Sequence, residues 1–152
     1  MGHINMTRVL LGGLLAGVVI NVSEFVLNSV VLGADMQAAL ARLSLPMPSP
    51  NAIAVFLVMG FVLGIVTVWL YAAMRPRLEP GANAAACAGA LVWFLAYCWG
   101  SIGFVVLGIF PLRMIVIGMV WGLFELVLAA VAGAWLYREA PAGRMTSPPM
   151  PA

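Results

Sequence analysis

The run Thr7–Leu32, TRVLLGGLLAGVVINVSEFVLNSVVL, decides the architecture. It is apolar for longer than the ~20 residues an α-helix needs to cross ~30 Å of hydrocarbon. Three runs of the same kind follow, Asn51–Met74, Asn83–Ile109 and Leu112–Arg138. Between them stand ordinary helix stops and starts: Ser49-Pro50-Asn51, Arg75-Pro76, Pro80-Gly81, and the reversal Gly108 to Pro111. The expected fold is therefore all-α, a polytopic membrane protein with four transmembrane helices in an up-down bundle. One membrane domain is expected over 1–139, and the Pro-, Gly- and Ser-rich stretch 140–152 reads as a disordered cytoplasmic tail. The start of the chain resembles a signal peptide only in outline. Its apolar run is too long, lacks a small-residue cleavage site and continues past Glu24, so a retained helix is expected. Position 6 is Met where a myristoylation signal has Ser or Thr.

Composition agrees. Of 152 residues 64% are hydrophobic and 8% charged, with a net charge of +2 and no Lys. A soluble domain carries about 25% charged residues. These figures exclude a water-soluble globular enzyme and a disordered chain, and a charge this small excludes a nucleic-acid partner. Cys87 and Cys98 are too few for a disulfide scaffold or a closed zinc site. On one helix they would stand about 16 Å apart along the axis, beyond disulfide reach, and are read as small buried hydrophobes.

Four spans place both termini on the side of the Arg75–Ala82 loop. That side carries Arg8, Arg75, Arg77, Arg138 and Arg144; the other carries Arg42 and Arg113. The positive-inside rule then puts both termini in the cytoplasm of a bacterial cell, with the inner membrane as the location. In the first outer loop, Gly33–Pro50, the segment Asp35–Leu45 spaces Met36, Leu40 and Leu43 as a short interfacial helix would, with an irregular loop as the alternative. An internal echo also stands out. Val30-Val31-Leu32-Gly33 matches Val105-Val106-Leu107-Gly108, and Trp69-Leu70-Tyr71 matches Trp135-Leu136-Tyr137. A duplicated helical hairpin would give this order; chance in an apolar alphabet, with aromatic anchors at one interface, is the alternative.

Small residues recur at helical spacing: Gly13 and Gly17, Gly60 and Gly64, Gly100 in the third span, Gly118 and Gly122. Such stripes let helices approach closely in lipid, and the first and fourth helices are expected to meet through theirs. Two stripes lead into acids. Gly13, Gly17, Asn21, Glu24 and Asn28 hold one face of the first helix, and Gly118, Gly122, Glu125, Ala129 and Gly133 one face of the fourth. Glu24 lies about 12 Å and Glu125 about 20 Å from the outer ends of their helices. Tyr97 and Ser101 share a face of the third helix at similar depths. An intramembrane polar cluster of Glu24, Asn21, Asn28, Glu125, Tyr97 and Ser101 is expected. An ionised acid at a helix centre costs ~2.5–3.5 kcal/mol, and no Arg lies in a span core, so at least one Glu should be protonated at neutral pH. The cluster then serves as interhelical glue or as a proton-exchanging site.

Catalytic patterns are missing. His3 is the sole histidine, Asp35 the sole aspartate, and there is no H-E-x-x-H, Ser-His-Asp set or phosphate loop. No catalytic residue, metal or cofactor is expected. The stretches Ala16–Phe25, Trp69-Leu70-Tyr71 with Arg75-Pro76, and Trp121-Gly122-Leu123-Phe124-Glu125 resemble small uncharacterised four-helix bacterial membrane proteins, a likeness that brings no activity. Size and an acid in the first span are loosely similar to small multidrug-resistance transporters, which implies a homodimer. Glu24 lies later in its helix than in that family and the first loop is longer, so no residue role carries over. The expected function is that of a non-enzymatic membrane protein, an accessory or self-associating subunit whose partners are the lipid bilayer and a second copy or other membrane subunits. The alternative is a small proton- or cation-coupled transporter or channel acting as a homo-oligomer through Glu24 and Glu125.

Overall fold

A computed structural model describes residues 4–137. His3, Arg138, Arg144 and the expected tail 140–152 lie outside the described residues. The chain forms α1 (Met6–Val26), which widens into a π-helical turn at Leu27–Val31, then α2 (Gly33–Arg42) and α3 (Pro50–Met74). It continues with α4 (Ala82–Trp93), a second π turn at Phe94–Trp99, α5 (Gly100–Val106) and α6 (Leu112–Leu136). Read as continuous helices, Met6–Val31, Pro50–Met74, Ala82–Val106 and Leu112–Leu136 are each long and apolar enough to cross a membrane. The third ends three residues short of the expected Ile109, because Gly108 takes a left-handed φ of 61° that turns the chain back. The start of α3 follows the sequence signal at Ser49-Pro50, and α1 is capped by Asn5. The Arg8 backbone N–H donates to Asn5 Oδ1 at 3.2 Å, and that of Ala52 to Ser49 Oγ at 3.3 Å, with Pro50 in the first turn.

The helices form a four-membered ring. α1 lies between α3 and α6, and α4 closes the ring by packing on α6 and, less closely, on α3. The expected contact of first and fourth helices is present: α6 meets it with Gly133 of the expected stripe, but α1 with Gly12 in place of Gly13 and Gly17. A Cβ at Gly12 would stand 2.5 Å from the Gly133 carbonyl oxygen, so these two glycines are where α1 and α6 cross. The Gly13 and Gly17 stripe faces α3 instead, against Ile65, Phe61 and Gly64, because it lies one residue further round the helix. Gly60 abuts Asn21 and Gly122 abuts the Tyr97 ring, as packing positions should. Gly100 and Gly118 do not pack: a Cβ at either meets open space. Spacing marks a stripe, but whether a neighbouring helix reaches it depends on how the bundle tilts.

One half of the bundle is tightly packed. Val9, Ala16, Val68, Leu126, Ala129 and Ala130 are fully buried there, between the ring's middle and the end carrying Arg8, Arg75 and Arg77. At that end Tyr71 and Tyr137 meet edge to face with centroids 5.9 Å apart, and the Arg75 guanidinium lies 5.6 Å from the Tyr137 ring. The other half is looser. α5 makes little contact with any helix, and most of its residues are exposed on the bundle's outer surface. There α2 forms the short amphipathic helix, at Gly33–Arg42, with Met36 and Ala39 packed on Leu27, Leu32 and Met114. Arg42 Nη2 donates to the Ile109 carbonyl at 2.8 Å, tying α2 to the turn before α6.

Candidate functional site

Three spans deliver polar side chains to one point in the ring. Glu24 comes from the last turns of α1, Tyr97 from the π turn after α4, and Glu125 from the middle of α6. The Tyr97 hydroxyl lies 2.5 Å from Glu24 Oε1 and 2.9 Å from Glu125 Oε1. Asn28 Nδ2 donates to Glu24 Oε2 at 2.6 Å and to the Glu24 backbone carbonyl at 2.9 Å. Both π turns adjoin this point. A π turn breaks the i→i+4 ladder, and the Asn28 amide takes up the Glu24 carbonyl while holding the Glu24 carboxyl. Local backbone and site are thus built by the same side chain.

Hydrogen counting limits the charge. A phenol has one hydrogen and cannot donate to two carboxylates at once. One of the two contacts at Tyr97 therefore calls for a carboxyl that donates its own proton to the phenolic oxygen. Glu125 is 3% exposed and its Oε2 makes no hydrogen bond among the described residues. No basic side chain among them pairs with either acid, and Arg113 pairs with Asp35 instead, at the start of α6. Around the acids, Trp121 Nε1 donates to Ser23 Oγ at 2.8 Å and Trp93 Nε1 to the Met119 carbonyl at 2.8 Å.

Glu24, Asn28, Tyr97 and Glu125 are thus brought together as the sequence suggested. Asn21 and Ser101 are not. Asn21 Nδ2 donates to the Gly17 carbonyl at 2.9 Å and the Leu57 carbonyl at 3.2 Å, filling the space over Gly60 on the α1–α3 seam. It stands three residues before Glu24, and that step turns it toward α3. Ser101 makes no hydrogen bond to either acid, because the π turn ahead of it shifts its register and α5 stands away from α6. Ser23 and Trp121 are additions. An indole N–H inside a span needs an acceptor, which is the signal that would have found that pair.

The four side chains form a ladder of polar atoms from Glu125 through Tyr97 and Glu24 to the exposed Asn28 in the π turn that ends the first span. On the opposite side of Glu125 the tightly packed half begins with Leu126 and Ala129. Among the described residues no group of three His, Cys, Asp or Glu is placed to hold a metal. Comparison with protein-family models, with curated proteins and with solved structures finds no match.

Proposed function

We propose that this is a non-enzymatic protein of the bacterial inner membrane, both termini in the cytoplasm, which binds a proton or small monovalent cation at Glu24, Tyr97 and Glu125. The observation that carries this reading is the single phenolic hydrogen set between two carboxyl oxygens. Such a bridge passes a proton with atoms in balance: a protonated Glu24 gives its hydrogen to the Tyr97 oxygen while Tyr97 gives its own to Glu125. The exposed Asn28 and partly exposed Glu24 form the entry, and the packed layer beyond Glu125 is the barrier. Of the two expected functions this favours the proton- or cation-coupled one, working as a homo-oligomer.

An accessory or self-associating subunit would use the same side chains as glue. Infrared titration of the protein in lipid separates the two. A protonated-carboxyl band that titrates within about pH 5 to 9, and is lost in Glu24→Gln or Glu125→Gln, supports proton binding. A band constant across that range, with proteoliposomes no more proton-permeable than empty ones, returns the glue.

A further inference from the structure

We propose that the cleft between α2 and the start of α6 binds the phosphodiester of an anionic phospholipid. Arg42 and Arg113 are the basic residues at this end of the bundle, and they stand far apart in sequence. The fold brings both to one cleft of about 210 Å³, with Asp35 beside them and Ala38, Ala39 and Met114 as an apolar floor. Two guanidinium groups against one carboxylate leave a net positive charge at the site. Neither Arg is used up. Arg42 spends one N–H group on the Ile109 carbonyl, and Arg113 contacts Asp35 at 3.4 Å with its side chain 75% exposed. A guanidinium has five donors in a planar fork suited to phosphate oxygens.

Position supplies the rest. α6 begins at Leu112, so in a bilayer crossed by this helix the cleft would stand at the level of the lipid phosphates, with Ala38, Ala39 and Met114 beside it. A ligand with one negative charge beside an apolar stem matches both walls. Phosphatidylglycerol satisfies this description. Phosphatidylcholine offers the same phosphate but adds a cation that the net positive cleft opposes, and free phosphate lacks the stem.

The test is native mass spectrometry of the full chain released from nanodiscs holding equal phosphatidylglycerol and phosphatidylcholine. Retention of phosphatidylglycerol above phosphatidylcholine is expected. Arg113→Gln should lower that retention about tenfold, the scale of one charge-assisted hydrogen bond, and Asp35→Asn should raise it. Arg113 is exposed, so its variant keeps the fold and the result can be read without Arg42, whose tie to Ile109 also positions α2. Equal retention of the two lipids, no response to either variant, or displacement of lipid by inorganic phosphate overturns the proposal.

Discussion

Tyr97 is where the chemistry of the site is tightest, because its hydroxyl links two acids on different helices. Tyr97→Phe keeps the ring on Gly122 and removes that link. Intramembrane hydrogen bonds are worth about 0.6–2 kcal/mol each, so a loss of about 1–2 kcal/mol is expected in unfolding from mixed micelles. Proton uptake at Glu125 should slow together with it. A variant as stable as the parent would show that the contacts contribute nothing to the fold. Glu24→Gln should keep the fold, since the Gln oxygen can accept from Asn28 while its amide N–H donates to the Tyr97 oxygen, whereas Glu24→Leu leaves Asn28 an acceptor short, at about 1–2 kcal/mol. Circular dichroism and the same unfolding assay compare the two. Sequence periodicity found Glu24, Asn28, Tyr97 and Glu125 because polar residues inside apolar helices have few places to go. It misplaced Asn21 because an amide can also satisfy itself on backbone carbonyls of its own and a neighbouring helix, which no spacing rule distinguishes.

Among the elements, span number and the Ser49 cap were legible in the sequence and α2 was one of two readings, expected two residues later than its Gly33 start, while the π turns were not. A π turn is an inserted residue without a composition signature, and the one at Phe94–Trp99 carries Ser101 away from the acids. Glycine spacing was legible only in part, since Gly17 and Gly64 pack face to face while Gly118 meets open space. Substitutions should divide along the same line. Gly64→Val drives side-chain atoms into the α1 backbone at Gly13 and Gly17 and should destabilise by about 1–3 kcal/mol, the usual range for overpacking. Gly118→Ala should stay within about 0.5 kcal/mol. The same micelle unfolding assay reads both, and equal costs would mean that α1 and α3 are not joined at these glycines.

For the molecule as a whole, the four spans form a ring with a polar ladder in one half and a close-packed layer in the other. The two Trp-Leu-Tyr motifs end on tyrosines that touch at the Arg-rich end, Tyr71 and Tyr137, and the first and third spans each contain a π turn. The proposed sidedness rests on the distribution of Arg. In a cysteine-free background, Leu45→Cys should react with an impermeant thiol reagent in intact cells and Arg77→Cys only after lysis. Labelling of both from outside, or of Arg77→Cys alone, would reverse or abolish the expected orientation.

The packed layer between Glu125 and the Arg-rich end, with α1 and α6 crossing at Gly12 and Gly133, has an electrical consequence. Voltage across a membrane drops mainly where the material is least polarisable, and here that is the layer around Val68, Leu126 and Ala129. A proton moving from Asn28 to Glu125 would therefore cross only a small part of the field. Moving one charge through the whole field takes about 2.3 kcal/mol per 100 mV, and most of that work would fall on the remaining step through the layer. Protonation of Glu125 should thus be nearly insensitive to membrane potential, while any full transit should depend on it steeply.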